Sequence, residues 1–527
     1  MADSKEKPQK IKFGEEKSVL SARVKERRRK RERALQFWGS VVLFLLAFIL
    51  LSAFSVLTIY LNDPLSWRAF LTENFTSVIY MEVCFFFLFV VLFCFYSFEK
   101  RKALYAVKDV LCVLLILLIG IAADYFTGRY VHIFARPVVL APLLVCILRD
   151  KREAIVITFL LAMILFIMDY FTNFYGSGMN YYIFTSFILS VACGAFAVFV
   201  SGFVKSRIKM LAIGFLLCIP AEVIVGVFWL TQGYSYTSYE FVEVLVYAAI
   251  AMIFSSLLFM ALLPVFEIAF SALTAFRLRE LTSFDVKLLK RLREEAPATF
   301  DHSMVVAQFA EMCAADIGEN AELARAAAYY HDVGKLYNPT YFTENQKGGV
   351  NPHDFIPPEV SVEVIRTHTR FGKELIKKNR LPDFFGEVAF RHHGTMPIRF
   401  FYVKAKSMSD GDTVDIKEYS YQDSKPLNKI TAIIMLCDSC EAAIRAFRDN
   451  VARQRSLGGV VTDEAITKGI ETIVKKIVDE RIELDQFSEC DITMRELGVI
   501  STSILNSATG VYHGRVAYPE LNLKKRK

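Results

Sequence analysis

The sequence has no glycine- or serine-rich linker and nothing that reads as a secretory leader. Its first apolar run, residues 37–61, is too long for a leader core, and no small-residue cleavage site follows it. A cleaved, exported protein is thereby disfavoured, and that run is read as a retained anchor. Histidine is scarce and uneven. Of eight histidines only His132 precedes residue 300, so the first half is poor in the commonest metal ligand. The ten cysteines do not form a disulfide framework. Cys84, Cys94, Cys112, Cys146, Cys193 and Cys218 fall inside apolar runs. Cys437 and Cys440 have CxxC spacing with no second CxxC, for which helix packing is a better reading than zinc or redox chemistry.

What is abundant is apolar. Hydrophobic residues make up 54% of the chain and Phe alone accounts for 46 positions, too many for an ordinary soluble enzyme. The excess lies before about residue 275. The run at 37–61 is long enough to cross a hydrocarbon core of about 30 Å, and further spans are expected near 76–98, 104–124, 132–148, 154–175, 180–204, 208–230 and 241–263. The one at 132–148 is the weakest, with a polar start and with Pro137 and Pro142 inside it.

Loop charge supports eight spans with both ends in the cytoplasm of a cell (inner) membrane protein. The tail before residue 37 carries thirteen Lys and Arg, Arg27 to Arg31 among them. The loops expected inside hold Lys100-Arg101-Lys102, Arg149 with Lys151 and Arg152, and Lys205 with Arg207 and Lys209, whereas those expected outside hold only Arg68, Arg129 and Arg136. Tyrosines and phenylalanines at the outer borders (Tyr170-Phe171 to Tyr181-Tyr182, Tyr234 to Tyr239) read as an interfacial belt. Glu82 and Glu222 sit inside spans, where an ionisable group invites either an interhelical hydrogen bond or a sensing role. No ion-pathway residues recur from span to span, so a transporter has little support.

From Pro264 an amphipathic stretch with Arg277, Arg279 and Glu280, then Leu288 to Arg293, reads as a coupling segment near the lipid headgroups. The domain reading is therefore a basic tail (1–36), eight spans (37–263), a coupling segment (264–295) and a soluble domain (296–520). That domain is mostly helical in pattern, over Ser303–Ile317, Ala321–His331, Val360–Lys378 and Lys429–Phe447, with strand-like alternation confined to stretches such as Phe400–Lys404.

The helices carry an ordered set: His302, His331-Asp332, His368, His392-His393 and Asp438. Imidazole with carboxylate suits Mn or Fe(II) better than magnesium. An aspartate beside a histidine lets one carboxylate bridge two ions, which together activate water and hold phosphoryl oxygens. On residues alone this reaches phosphoester hydrolysis.

The motifs Glu295 to His302, Ala328-Tyr-Tyr-His-Asp-Val-Gly-Lys335, Glu344-Asn-Gln, Asn351-Pro-His-Asp354, His392-His-Gly-Thr395, Asp438-Ser-Cys-Glu441 and Asp485 to Asp491 occur in one order. In them, and in an anchor followed by seven spans, the chain resembles the seven-transmembrane HD proteins that hydrolyse cyclic di-AMP, within the HD phosphohydrolase superfamily. The resemblance implies an all-α chain, a polytopic helical bundle followed by a cytoplasmic all-helical HD domain. It implies one divalent ion on His302, His331, Asp332 and Asp438, and a second on Asp332, His368, His392 and His393. Asp332 and Lys335 are the expected catalytic residues, Lys335 meeting a phosphate oxygen. His353 and Asp354 either line the nucleotide pocket or cap the next helix, and His513 is read as structural.

The chain departs from the family in having only residues 62–75 where relatives carry a large extracytoplasmic domain. Asp301 replaces a usual Gln or His and Gly514 a usual Pro. Gly394-Thr395 differs from the pattern of cyclic di-GMP hydrolases, which disfavours that substrate. The expected function is hydrolysis of cyclic di-AMP to pApA, under control of the membrane domain. The rivals are hydrolysis of another nucleotide and a receptor that binds nucleotide without cleaving it. The expected partners are the dinucleotide and membrane lipid, not nucleic acid: the net charge of +7 owes much to the N-terminal tail. Oligomeric state stays open, a homo-oligomer included.

Overall fold

The computed structural model describes residues 13–62, 75–99, 106–172, 180–204, 206–233, 235–346, 350–408, 414–422 and 424–511. No strand occurs among the described residues, only one isolated bridge between Pro397 and Ser420, and the fold is all-α. The chain divides between Thr274 and Ala275 into two compact units.

The first unit contains α1 (Phe13–Asn62), α2 (Phe75–Phe98), α3 (Val107–Tyr130), α4 (Leu140–Leu148), α5 (Lys151–Thr172), α6 (Asn180–Ser201), α7 (Arg207–Thr231) and α8 (Tyr239–Ala269). All but α4 are long and apolar enough to cross a membrane, which makes this a multi-pass membrane protein. Helix is the form these runs must take, because in lipid each backbone N–H and C=O has to be satisfied within its own segment. Pro220 and Pro264 are accommodated inside α7 and α8. The last span therefore runs past the expected boundary at residue 263, and the stretch read as one coupling segment is the end of α8 plus two separate helices of the second unit.

The weakest expected span has an unusual form. Residues 132–148 make a 3-10 turn (Ile133–Ala135) and the nine-residue α4, which at 1.5 Å per residue is only about 14 Å long. Pro137 cannot supply the N–H that a continuous helix would need there. Every residue from 133 to 145 is buried, and α4 packs against α3, α5, α6 and α8. Within a membrane, irregular backbone is tolerated only where protein surrounds it, as it does here.

Arg136, counted among the outward loop cations, lies in the irregular segment between the 3-10 turn and α4 but is buried there. It is 2% exposed and donates to both carboxylate oxygens of Asp169, at 2.6 and 2.7 Å. Gly128 makes this packing feasible, since a Cβ there would meet the Arg136 guanidinium. Asp124 on α3 is also fully buried, and neither of its carboxylate oxygens has a hydrogen-bond partner. Glu82 accepts hydrogen bonds from Ser52 and Ser55 of α1, an interhelical tie, while Glu222 lies on an exposed face of α7. Lys100 to Lys102, Arg68, Lys205, Tyr234 and His513 lie outside the described residues.

The second unit contains α9 (Ala275–Leu281), α10 (Lys287–Glu295), α11 (Pro297–Asp316), α12 (Ala321–Tyr330), α13 (Pro358–Lys378), α14 (Asp383–Arg391), α15 (Arg399–Met408), α16 (Lys429–Ser456), α17 (Asp463–Glu483) and α18 (Met494–Val511). Its centre is α16, in which Ile430 to Asp438 are all buried, as befits a helix apolar on every side. Asn320, Asn428 and Thr462 cap α12, α16 and α17 by accepting from backbone N–H groups of the first turn. Residues 400–404, read as strand-like, belong to helix α15. There Phe401 and Ala405 are buried one turn apart, with Val362 and Tyr419 in the same cluster. This one-sided burial overrides the β-propensity of a Phe-Phe-Tyr-Val run.

Candidate metal centre

Each expected ligand stands on a helix or at a helix end. The helix expected from Ser303 starts six residues earlier, as α11. Proline takes the first helical position at 297, so His302 lies in the second turn and faces inward. His331 caps the C-terminal end of α12, and Asp332 precedes a 3-10 turn (Val333–Tyr337). His368 is inside α13, His392 closes α14, and Asp438 is mid-way along α16.

The tertiary fold brings these seven side chains together in two overlapping groups. Asp332, His368, His392 and His393 form one, and His302, His331, Asp332 and Asp438 the other; within each group the donor atoms lie within 4.8 Å of one another. Asp332 belongs to both. Its Oδ1 is 3.4 Å from His368 Nε2 and 3.7 Å from His392 Nε2, and its Oδ2 is 3.4 Å from His331 Nε2. All seven residues are buried except His393, which is partly exposed.

The hydrogen bonds around the rings decide what the inner atoms offer. The Nδ1–H groups of His331, His368 and His392 donate to the backbone carbonyls of Ala328, Ile365 and Ala389, at 2.7, 2.6 and 2.9 Å. That leaves each Nε2 pointing inward, and none of the three has a hydrogen-bond partner; Asp332 Oδ1 lacks one too. Three buried imidazole nitrogens and a carboxylate oxygen, left unsatisfied on one small space, would be costly unless a cation completes them. The donor set thus fits metal ions.

Electrostatics keep most donors ready. Burial by itself raises Asp332, but the charges of Lys335 and His331 outweigh it and hold the carboxyl well below its usual range. Burial pushes the His368 imidazole down to about 4 and His393 well below its ordinary value, so both are neutral at pH 7. His302 is raised, and His331 is raised to about 10: burial opposes their protonation, but the neighbouring carboxylates of Asp332, Asp438 and Glu441 prevail, so a cation bound there would displace a proton from each ring.

Lys335, expected to meet phosphate, is 2.7 Å from Asp332 Oδ2 and 2.8 Å from Glu344 Oε1. It lines two cavities with Asp438. One, of about 510 Å³, is also walled by His368, His393, Tyr421 and Arg481, and the other, of about 310 Å³, by His302, Glu344, Glu441 and Arg445. His353 does not cap the next helix, since α13 has Pro357 at its N-cap and no side-chain cap hydrogen bond. The histidine is buried, with Nε2 at 2.9 Å from the Tyr341 carbonyl, and packs on Phe401.

Residues without an assigned role complete the centre. Glu441, fully buried, accepts from His302 Nδ1 and from Arg445. Gln486 accepts from the Thr395 N–H at 2.9 Å and so pins the turn at Gly394, whose φ is +55°. Both lie within the quoted motifs, which was the available signal. Tyr421, stacked on His393 at 4.4 Å, and Arg481 had none.

Residues 74–274 match the model of a family described as a 7TM receptor with intracellular HD hydrolase, and residues 299–443 match that of the HD domain. The chain belongs to the seven-transmembrane HD family. Among curated relatives of this family member, the cyclic-di-AMP phosphodiesterase PgpH of Bacillus subtilis (strain 168) is 32% identical over 437 residues, 81% of this chain and 58% of that one. The protein of the same name from Listeria monocytogenes serotype 1/2a (strain 10403S) is 34% identical over 394 residues, 73% of this chain and 50% of that one. The chain therefore spans between half and three-fifths of the length of these relatives. A crystal structure of the L. monocytogenes phosphodiesterase PgpH HD domain in complex with cyclic-di-AMP is 39% identical, covering 44% of this chain and 99% of that one with a TM-score of 0.38.

Proposed function

We propose that this seven-transmembrane HD protein is a phosphodiesterase that opens cyclic di-AMP to pApA at a centre of two divalent ions, Mn or Fe(II), on the cytoplasmic face of the cell membrane. The observation that carries the reading is the convergence of three unpartnered imidazole nitrogens with Asp332 Oδ1. The substrate comes from the relatives that share both the membrane helices and the HD domain. Orientation, with both termini inside, rests on loop charge and requires residues 132–148, the 3-10 turn with α4, to complete an eighth crossing beside the seven long helices.

One ion would be held by His302, His331, Asp332 and Asp438, the other by Asp332, His368, His392 and His393. Bound there, the ions would lower the pKa of the attacking water and neutralise charge building at phosphorus. The chain's own groups do the rest. Nδ1–carbonyl hydrogen bonds fix three imidazole orientations before substrate arrives. Lys335, which lines both cavities, is placed to take a phosphate oxygen. Glu441 orients His302, and exchanging it for Gln should weaken metal binding at that end about 10- to 100-fold while leaving the melting temperature of the apo-protein near wild type. Metal titration followed by calorimetry would read this, and an unchanged affinity would remove the orienting role.

The reading is tested with the full chain in detergent, loaded with Mn or Fe(II) under reducing conditions and given cyclic di-AMP, cyclic di-GMP or an alarmone separately. Preferential conversion of cyclic di-AMP to the linear form is expected, abolished by a chelator and restored by added Mn. Tight binding without turnover in the metal-loaded protein would instead favour a receptor.

A further inference from the structure

The larger cavity extends beyond the groups that cleavage of one phosphodiester uses. It is lined by Lys335, His368, His393 and Asp438 and also by Arg399, Glu480 and Arg481, the last three forming an arginine wall. Arg481 stands in the last turn of α17 with 12% of its side chain exposed. Its Nη2 donates to Ser439 Oγ at 2.9 Å and its Nη1 to Glu480 Oε2 at 2.5 Å. A guanidinium has five N–H groups, so these two bonds leave donor capacity over. Nε is closed off from solvent and has no partner. Burial lowers the Arg481 pKa, so holding the charge here has a cost that an anion would offset.

Charge on this wall is matched to one anion. Glu480 pairs with Arg399 as well as with Arg481. Two arginines and one glutamate sum to a single positive charge. Ser439, to which Arg481 is tied, follows Asp438 directly in α16, so the wall is anchored one residue from the expected metal face.

A cyclic dinucleotide carries two phosphodiesters, and opening the ring cleaves only one. We propose that Arg481, with Arg399 beside it, binds the second, uncleaved phosphodiester of the substrate. The inference rests on the cyclic-dinucleotide reading given above and adds a reason for it. A ligand with a single phosphodiester reaches the metal face but leaves the arginine wall empty, whereas a dinucleotide engages both. The competing role for Arg481 is purely structural, a brace for Asp438 through Ser439. The two roles differ in which substrates they affect.

The test uses the full chain in detergent with Mn, measuring initial rates against concentration for cyclic di-AMP and for bis(p-nitrophenyl) phosphate, which has one phosphodiester. Arg481→Gln is expected to raise KM for cyclic di-AMP about 10- to 100-fold, the range for losing a hydrogen bond to a charged group. Its kcat should stay close to wild type, and bis(p-nitrophenyl) phosphate should be hydrolysed as before. Arg481→Lys should recover part of the KM. A parallel loss on both substrates, or an unchanged KM for cyclic di-AMP, overturns the proposal. Should Arg481→Gln fail to fold, Arg481→Lys and the exposed Arg399→Gln decide it: each must raise KM for cyclic di-AMP selectively, and wild-type values in both overturn it. A wild-type protein that cleaves the single diester but no cyclic dinucleotide sinks the substrate reading itself. Normal cleavage of cyclic di-AMP with an indifferent Arg481→Gln sinks only the second-phosphate site.

Discussion

Asp332→Ala should reduce turnover of cyclic di-AMP by more than about 10³-fold, beyond what loss of a single stabilising group usually costs, because the change strikes both proposed ion sites at once. Asp332 is the residue common to the two groups of donors, one oxygen toward His368 and His392 and the other toward His331. Its removal leaves each group a ligand short and brings the histidines into a smaller net negative field. It also frees Lys335, now 2.7 Å from Asp332 Oδ2, to pair with Glu344 alone. Metal content and rate should therefore fall together. Elemental analysis of the purified variant, followed by product chromatography, checks both. A variant that kept two ions and near-normal turnover would show that Asp332 does not bridge.

Gly334→Ala should destabilise the soluble unit by about 3 kcal/mol, the upper end of the cost of overpacking, and disable the centre without touching a ligand. A Cβ on Gly334 would stand 1.8 Å from the His368 carbonyl oxygen and 2.5 Å from the Gly372 nitrogen. Both obstacles are backbone, so no side chain can swing aside. The 3-10 turn that follows Asp332 would have to retreat from α13, and with it would go the 3.4 Å approach of Asp332 to His368. For a unit of this size the melting temperature should drop by roughly 6–12 °C. Metal affinity should weaken in parallel. Thermal melts of wild type and variant, with and without chelator, check this. Equal melting temperatures in the metal-loaded proteins would mean that the turn and α13 can separate at no cost.

That glycine illustrates where sequence reading stops. The motif His331-Asp332-Val333-Gly334-Lys335 marked a site, but nothing in it told why glycine stands at 334; the reason is a backbone of another helix thirty-odd residues later in the chain. The same limit applies to residues read wrongly or passed over. Arg136 looked like a loop cation because charge along a sequence carries no depth, and only the packing of residues 133–145 showed it buried against Asp169. Phe400 to Lys404 looked strand-like because local propensity cannot register that Phe401 and Ala405 share one buried face of α15. Tyr421 and Arg481 left no trace, since each meets its neighbour at the centre, His393 or Ser439, only once distant parts of the chain have packed together.

What the sequence determined by itself was everything governed by local pattern and by residue chemistry. Apolar runs long enough for a hydrocarbon core dictated spanning helices, 3.6-residue periodicity dictated most of the helices that follow, and His and Asp in a fixed order marked where a cation could be held. Tertiary structure alone decided which ring nitrogens are free. A histidine donates from Nδ1 or from Nε2 according to what lies beside it, and the carbonyls of Ala328, Ile365 and Ala389 settle that choice only once their helices are formed and packed. Convergence of the freed Nε2 atoms on Asp332 is likewise a property of helices brought together from distant parts of the chain, which no one-dimensional spacing can encode.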